Sequence, residues 1–510
     1  MRTGLLIALL AACGTAETAA LEASSPSELQ ADPGASDEPA PPVDPALGFR
    51  DITAWSGLGD LPFTVLSGIA AVDVDDDGFD DLLLPGSGGT RIYKNRGDGT
   101  FFLRAQLVAP QRPDEHSGVY AAELTGDGLV DLITVGAWEF RLWEGLGGGR
   151  FQQTGRMPDF PANGIASVVT FGDFDFSASL SVYLGRLTPF DPDAEPEAFD
   201  PCGLGPHDDP GVDSFFLRRR GGAFEDVTTT AKLGVITKAQ SAASLDLNAD
   251  GYLDLIVGTE GDARDLVFLG DGTGQFVERG VELGLKTKTS AMGTEFGDID
   301  GDGDAEMFIS DFQPSGGGQL WVRQADGNFK NEAEARGLSD LSQYSSWGVG
   351  LHDFDNDGDL DFFMVNSLPQ TEGCMAEGQE RLMFENDGSG HFTRLATTDA
   401  SGLTLSSEAR GAAFSDFDHD GDIDVAVANI TGEPPQLLRN ELGESKGGNW
   451  VVVRLAYPWY SPAVGAILTA TVGDKKLKRW VIGTSSYGGS PTEEIHFGLG
   501  AATQIDDLAI

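Results

Sequence analysis

The sequence predicts an all-β protein, in which a seven-bladed β-propeller over residues 48–442 precedes a small β-rich domain over residues 447–510. First, an acidic pattern, Asp-x-Asp-x-Asp-Gly-x-x-Asp, occurs in seven exact or degenerate copies at spacings of 50 to 73 residues, which indicates a repeat architecture. Second, each copy runs into an apolar strand, and further short strands joined at Gly-rich turns follow. Third, no helical run of note interrupts the repeats. Four short strands per repeat are typical of a β-propeller.

Each repeat begins with a strand rich in small residues. Five of the seven copies have Gly five residues before the first acidic position, namely Gly68, Gly118, Gly293, Gly348 and Gly411. A strand that must approach its neighbours closely favours a residue without a Cβ atom. The strand before the acidic loop is therefore predicted to be the innermost one of its blade, where the blades crowd the central axis.

The ring is predicted to close with a strand from the other end of the repeat region. The seventh repeat has the strand-like run 436–440 but no final strand after it, whereas residues 49–53 supply a spare final strand before the first repeat. We expect residues 49–53 to complete the last blade, which ties the start of the ring to its end and removes exposed strand edges.

The acidic loops have the spacing of a calcium site. In the clearest copy, Asp353, Asp355, Asp357 and Asp361 occupy positions 1, 3, 5 and 9, and Gly358 at position 6 allows the sharp turn. Calcium takes six to eight oxygen ligands, which carboxylates from alternate residues of a tight loop can supply. The pattern is not an EF-hand, because position 12 is never Glu and the flanking runs are predicted strands. The alternative is a set of Asp-rich turns without an ion.

Six loops are predicted to bind metal, for a total of five or six calcium ions. The third copy, with Asp173 and Asp175 but Ser177 and Ser181 and no Gly at position 6, is expected to bind weakly or to be empty. The predicted ligands are Asp73, Asp75, Asp77 and Asp81; Glu123, Thr125, Asp127 and Asp131; Asp246, Asn248, Asp250 and Asp254; Asp298, Asp300, Asp302 and Glu306; Asp353, Asp355, Asp357 and Asp361; and Asp416, Asp418, Asp420 and Asp424.

Charge and the N-terminal residues bear on the partners and the location. A formal net charge of −48 argues against nucleic acid as a partner, because binding it requires a basic surface. Residues 1–13 have the features of an export signal, and the run from Leu10 to Cys13 resembles a bacterial lipobox in which Cys13 is lipidated. Residues 14–47 are predicted to be a flexible tether. The expected location is the outer membrane or cell surface, with membrane contact only through the lipid anchor; the alternative is an ordinary signal peptide and secretion.

Two further cysteines lie in long insertions of the third and sixth repeats. Cys202 and Cys374 occupy similar points of their repeats, and an exported protein can form disulfides. A Cys202–Cys374 disulfide is one alternative and two free thiols are the other, because the sequence does not show whether the insertions meet.

The repeats resemble FG-GAP/VCBS repeats, the units of integrin α-subunit propellers, over about residues 49–440. Residues 449–500 resemble the ASPIC/UnbV domain that follows such repeats in the cartilage acidic protein family. The resemblance implies calcium in the loops and an extracellular binding or adhesive role, and it brings no catalytic residues. The chain ends at Ile510, where relatives continue through a further strand, so the last domain is expected to be truncated and to lack an edge strand. The matching residues are Asn449 to Leu455, Val464 to Ala466, Gly483 to Gly489 and His496 to Gly500.

The expected function is non-catalytic binding of an extracellular protein or glycan, with partner contacts on the insertions 186–214 and 368–380. No zinc-protease or serine-hydrolase motif is present in the sequence. The alternative is an extracellular glycan lyase or hydrolase on a propeller scaffold. Its candidate acid and base residues are Asp193, Glu195, Glu197 and His207.

Overall fold

The chain is almost entirely β-structure. Its helices, in the part of the chain described, are the single turn Thr228–Ala231 and the 3-10 segment Ser339–Gln343. In the same part of the chain, no helix has the length and apolar character needed to cross a bilayer. The computed structural model describes residues 6–10, 48–58, 68–108, 116–136, 140–158, 160, 164–189, 211–220, 222–261, 263–313, 318–368, 377–396, 402–404, 407–430, 433–441, 448–456 and 463–510.

Seven sheets, each with a path of four antiparallel strands, follow one another around a ring. The first strand of each sheet contacts the first strand of the next sheet, and the first strand of the last sheet contacts that of the first. The sheets correspond one to one to the seven sequence repeats and are called blades 1 to 7 here. The predicted all-β propeller fold is confirmed, and the strand before each acidic loop is the innermost one, as its small residues predict.

The strands have the short lengths that the repeat pattern predicts. In blade 1 they are Ala70–Val72, Asp81–Gly86, Gly89–Asn95 and Phe101–Leu107; in blade 2, His116–Ala122, Asp131–Gly136, Phe140–Gly145 and Phe151–Gln153; in blade 3, Gly164–Gly172, Ser181–Pro189, Phe215–Arg220 and Ala223–Asp226; and in blade 4, Ala239–Leu245, Asp254–Thr259, Leu266–Gly270 and Phe276–Glu278.

The remaining blades repeat this order, and two short pairings lie outside it. The strands Val212–Asp213 and Ile236–Thr237 pair with each other, and Glu377–Gly378 pairs with the second strand of blade 6. The blade strands are Ala291–Gly297, Glu306–Asp311, Gln319–Arg323 and Phe329–Asn331 in blade 5; Ser346–His352, Asp361–Leu368, Leu382–Asn386 and Phe392–Arg394 in blade 6; and Ala409–Ser415, Asp424–Asn429, Gln436–Asn440 and Phe49–Asp51 in blade 7.

Blade 7 is completed by the N-terminal strand, as predicted. Phe49 pairs with Asn440 and Asp51 pairs with Leu438 in an antiparallel register. The junction between blades 7 and 1 is apolar, and there the rings of Phe101 and Phe417 meet edge to face at 5.5 Å. Burying one such aromatic side chain contributes about 2–3 kcal/mol, so the closed ring is held by side-chain packing as well as by strand pairing.

The C-terminal domain consists of two three-stranded sheets. One contains Asn449–Ala456 and Glu494–Gly500, and Leu6–Leu10, which lies in the predicted export signal and so belongs to the unprocessed chain, pairs in parallel with residues 452–456 at its edge. In the other sheet, Ile467–Val472 lies between Lys475–Trp480 and Asp507–Ala509. The last residues of the chain thus form a strand at the edge of this sheet, and the expectation that the domain is truncated and lacks an edge strand stays a prediction.

A short segment of the C-terminal domain, residues 483–490, fills the axis of the ring and is called the axial segment here. Gly68 shows how closely it fits, because a Cβ atom there would lie 2.0 Å from the carbonyl oxygen of Gly488. The Gly at the start of blade 1 is therefore required by the axial segment and not only by crowding between blades. The axial segment contacts blade 1 at Gly68, blade 2 at Val119 and Ala121, blade 3 at Phe171, blade 4 at Ala242, blade 5 at Glu295, blade 6 at Trp347 and blade 7 at Ala412.

Several sequence predictions lie outside the described residues. They are the lipidation site Cys13, the tether 14–47, both Cys202 and Cys374, and most of the two insertions. The disulfide and the lipid anchor therefore stay predictions.

Candidate metal centres

The acidic loops share one backbone conformation, which their own first carboxylate holds. In blade 1, Asp73 accepts hydrogen bonds from the backbone N–H groups of Asp77 at 3.1 Å and Gly78 at 2.8 Å. Asp246 and Asp416 make the same pair of bonds in blades 4 and 7. The residue at position 6 has a positive φ, which is +100° for Gly358. In blade 3 this residue is Ala178, whose φ of 56° is unfavourable for a residue with a Cβ atom. The missing Gly thus strains the degenerate loop.

The carboxylate at position 9 stabilises the blade by a hydrogen bond that does not depend on a bound metal. Asp81 accepts a hydrogen bond of 2.8 Å from the backbone N–H of Asn95, which lies on the third strand of the same blade. The corresponding bonds in blades 2, 4, 6 and 7 are made by Asp131, Asp254, Asp361 and Asp424 at 2.7 to 2.9 Å. These acids are buried, so each one ties its loop to the body of the blade.

The structure brings the acids together in the four loops that have four acids. Carboxylate oxygens of positions 1, 3 and 5 lie within 4.8 Å of one another in blades 1, 5, 6 and 7. Among the described residues, the loops of blades 2 and 4 are not such three-acid groups. In blade 4, for example, the amide nitrogen of Asn248 donates to Asp250 at 3.0 Å. In blades 2 and 4, position 3 is Thr125 and Asn248, so these loops have two acids and one neutral side chain at positions 1, 3 and 5.

The loop of blade 5 fits a divalent cation well. Three of its buried carboxylate oxygens, Asp298 Oδ1, Asp300 Oδ1 and Glu306 Oε1, have no hydrogen-bond partner. Burial, with the charges of neighbouring Asp residues, raises the pKa of Glu306 to about 9, and it raises the pKa of Asp298 to about 6. A cation that takes oxygen ligands would satisfy all three oxygens and lower both pKa values.

Blade 6 presents a similar arrangement. Asp353 is buried and its Oδ1 atom has no hydrogen-bond partner. Burial is the main reason that the pKa of Asp353 is raised to about 8 and that the pKa of Asp361 is raised well above its ordinary value. The hard oxygen donors of blades 5 and 6 match the ligand preference of calcium.

The loops of blades 2, 3 and 7 each bring in a cationic side chain or a backbone partner. In blade 2, Glu123 accepts hydrogen bonds from the backbone N–H groups of Gly126 and Asp127, and Arg219 reaches the carbonyl oxygen of Thr125. In blade 3, Arg218 pairs with Asp175 at 3.1 Å. In blade 7, Arg439 pairs with Asp418. In blade 1, Lys94 and Arg104 pair with Asp75.

The C-terminal domain lies on the loop face of the ring, a position that the sequence did not predict. Arg454 pairs with Asp73 at 3.2 Å, and the backbone N–H of Gly498 donates to Asp353 Oδ2 at 3.0 Å. The ammonium group of Lys478 donates to the carbonyl oxygen of Gly303 in the blade 5 loop, and His496 contacts that of Gly421 in the blade 7 loop. The docked C-terminal domain therefore helps to hold the conformation of four acidic loops, those of blades 1, 5, 6 and 7.

Comparisons with known proteins confirm the predicted family resemblance. The family model for the FG-GAP-like repeat matches residues 73–134 and 246–309, and the model for ASPIC and UnbV matches residues 460–510. The chain therefore contains FG-GAP-like repeats followed by an ASPIC/UnbV domain. Cartilage acidic protein 1 of Xenopus tropicalis is 28% identical over 160 residues, which cover 31% of this chain and 22% of that protein. This chain thus aligns with about a fifth of the length of that relative.

The solved structures that are similar to this chain include a lectin and a polysaccharide lyase. A lectin from Agrocybe aegerita that recognises non-reducing terminal N-acetylglucosamine is 17% identical with a TM-score of 0.42, over 72% of this chain and 86% of the lectin. A rhamnogalacturonan lyase from Bacillus licheniformis is 12% identical with a TM-score of 0.38, over 82% of this chain and 77% of the lyase.

Proposed function

We propose that the protein is an exported, calcium-stabilised β-propeller that binds an extracellular protein or glycan without catalysis. The observation that supports calcium most directly is the blade 5 loop, where three buried carboxylate oxygens have no hydrogen-bond partner. Leaving buried charged groups unsatisfied costs free energy, and a bound calcium ion removes that cost. Asp298, Asp300, Asp302 and Glu306 would hold the ion there, and the corresponding four acids of blade 6 would hold a second.

Calcium's role in this proposal is structural. Each loop joins the first and second strands of its blade, so an ion in the loop holds these strands together. An ion that binds the folded state and not the unfolded state raises the free energy of unfolding by mass action. Extracellular calcium modules have dissociation constants of about 10⁻⁴–10⁻³ M, so millimolar calcium is expected to be needed.

Filling of the axis leaves the periphery of the ring as the place for a partner or a substrate. The cavity beside the axial segment, lined in part by Tyr120, Gln240 and Ser485, has a volume of about 10 Å³. That is about the space that one water molecule needs, so a substrate does not fit beside the axial segment. A recognition surface on the periphery of the rigid ring is consistent with this arrangement.

Export and a lipid anchor at Cys13 complete the proposal, and they rest on the lipobox-like run and on the extracellular setting typical of such repeats. Labelling with a radioactive fatty acid is expected to mark the parent chain. The Cys13→Ser variant is expected to take up no label and to leave the membrane fraction. Equal labelling of both chains would contradict the anchor.

A calcium titration combined with a glycan screen tests the proposed function. We expect bound calcium, counted by mass spectrometry after equilibrium dialysis against millimolar calcium, to accompany a large rise in melting temperature. Glycan binding without turnover would support a binding module. Time-dependent cleavage would favour the glycan-active enzyme, whose candidate residues Asp193, Glu195, Glu197 and His207 lie outside the described part of the chain.

A further inference from the structure

One position on the third strand of each blade faces the ninth-position ligand of the acidic loop. In blade 1, Tyr93 pairs with Leu82, so the next residue, Lys94, lies opposite Asp81. The equivalent residue in each other blade is found from the same strand register. The residue type varies in a way that matters for a cation: it is basic in blades 1, 3 and 7, acidic in blades 2 and 6, and apolar in blades 4 and 5. In blade order the residues are Lys94, Glu144, Arg218, Leu269, Val322, Glu385 and Arg439.

In blade 1 this position places an ammonium group among the predicted metal ligands. Nζ of Lys94 lies 2.8 Å from Asp75 Oδ1, 2.7 Å from Asp77 Oδ1 and 3.2 Å from Asp81 Oδ1. The Lys94 side chain is only 7% exposed. Three of the four predicted ligands of one calcium ion therefore converge on a side-chain cation.

Two further cationic side chains pair with carboxylates of this loop, whereas Asp81 Oδ2 is buried without a hydrogen-bond partner. Arg104 pairs with Asp75 Oδ2 at 2.9 Å. Arg454, from the C-terminal domain, pairs with Asp73 Oδ2 at 3.2 Å and donates to the carbonyl oxygen of Gly78 at 3.1 Å. Four loop carboxylates thus face three cationic side chains, and every one of the four is paired.

The loop of blade 5 is the contrasting case. Val322 occupies the position of Lys94 and brings no charge. In the described part of the chain, Arg336 is the cationic side chain paired with a ligand of this loop, at 2.9 Å from Asp300 Oδ2. One oxygen of each of three ligands, Asp298 Oδ1, Asp300 Oδ1 and Glu306 Oε1, stays without a hydrogen-bond partner. The loops of blades 1 and 5 each have four acids, but a cationic side chain lies among the carboxylates of blade 1 and an apolar one takes its place in blade 5.

We propose that the blade 1 loop takes no calcium because the ammonium group of Lys94 occupies the cation position among its carboxylates. A calcium ion would have to displace this buried ammonium group from three carboxylates. This inference rests on the proposed function, in which other loops bind calcium. It differs from the expectation that Asp73, Asp75, Asp77 and Asp81 hold an ion, which stays a prediction until the ions are counted.

Replacing Lys94 with methionine tests the inference. The full-length protein is brought to equilibrium by dialysis against millimolar calcium, and bound calcium per chain is counted by mass spectrometry as the difference in calcium between the protein side and the buffer side. We expect Lys94→Met to bind one ion more than the parent, because removing the ammonium group leaves an acidic site with an open centre. Lys330→Met is the matched control, since Lys330 is mostly exposed and pairs with Glu332 outside any loop; its ion count is expected to equal that of the parent.

Two further variants keep the test decisive if Lys94→Met does not fold. Asp77→Asn is expected to leave the ion count of the parent unchanged, because no ion is held by Asp77. Glu385→Lys places a lysine at the same position of blade 6 and is expected to remove one ion. Loss of an ion with Asp77→Asn, or an unchanged count in folded Lys94→Met, would overturn the inference. If the unchanged protein binds no calcium, the proposed function is overturned as well. The number of ions bound to the unchanged protein therefore distinguishes the two failures.

Discussion

The backbone N–H of Ser486 donates a hydrogen bond of 2.8 Å to Oε1 of Glu295, and it does so at the axis of the ring. The hydroxyl of Ser485 donates to the same oxygen. Glu295 lies on the innermost strand of blade 5, whereas both serines belong to the C-terminal domain. One buried carboxyl group thereby connects the two domains where all seven blades meet, and its protonation affects their association.

Stability is expected to depend on pH through Glu295. Burial raises the pKa of Glu295 from 4.5 to about 7. Because the folded state favours the protonated form, the contribution of Glu295 is full below about pH 4.5 and is lost as the pH rises through about 7. Glu295→Gln mimics the protonated form and is expected to raise the free energy of unfolding by about 2 kcal/mol at pH 8 but hardly at pH 4.5.

Denaturant unfolding of the parent and Glu295→Gln between pH 4.5 and 8 checks this difference. Glu225→Gln is the control, because Glu225 is largely exposed and its variant is expected to follow the parent at every pH. A constant difference between Glu295→Gln and the parent across this range would contradict the assignment.

The axial segment is expected to make Gly68 intolerant of any side chain. The Cβ of Gly68→Ala would lie 2.0 Å from the backbone oxygen of Gly488, so the axial segment must move. We expect a loss of about 1–3 kcal/mol in the free energy of unfolding. Gly155→Ala is the matched control, since no atom lies within 4 Å of a Cβ there. Equal melting temperatures for both variants would show that the axial segment does not fill the ring in solution.

Calcium and the blade 5 loop are expected to be coupled through Glu306. Without calcium, Glu306→Gln is expected to change stability little, because burial already raises the pKa of this carboxyl group to about 9. In saturating calcium the variant lacks one ligand, and we expect it to be less stable than the parent by about 2 kcal/mol.

Thermal unfolding in chelator and in calcium measures both effects of Glu306→Gln. Asp474→Asn, an exposed acid in a turn of the C-terminal domain, controls for the change in net charge. An identical loss of stability in the two solutions would mean that Glu306 does not bind the ion.

Docking of the C-terminal domain is expected to depend on Arg454. Its guanidinium group pairs with Asp73 at 3.2 Å and with Glu494 at 3.1 Å, and Glu494 is buried. Removing one partner of a buried pair leaves the other charge uncompensated, so Arg454→Met is expected to cost about 3 kcal/mol. Calorimetry and limited proteolysis should show earlier release of the C-terminal domain. Arg220→Met, which breaks an exposed pair with Glu225, is expected to cost less than about 1 kcal/mol; a similar effect of both variants would contradict the docking role.

Much of the fold and part of the metal sites could be predicted from the sequence, because they depend on local spacing. The acids of positions 1, 3 and 5 converge in blades 5 and 6 because they belong to one tight loop. The pairing of Phe49 with Asn440 was predictable because the seventh repeat lacks its last strand. Lys94 was missed, although an alignment of the seven third strands would have shown that the residue facing each loop changes its charge from blade to blade.

The sequence by itself determined the repeat, the strand order within a blade and the loops in which carboxylates meet, since each of these is a periodic or short-range property of the chain. Only the tertiary structure decided that residues 483–490 fill the axis and that Arg454 docks on Asp73, a contact between residues 381 positions apart. Such contacts have no local signature, because they depend on how two folded surfaces match. The same reason explains why loops with one acidic pattern differ: the charge that faces a loop comes from another strand or another domain.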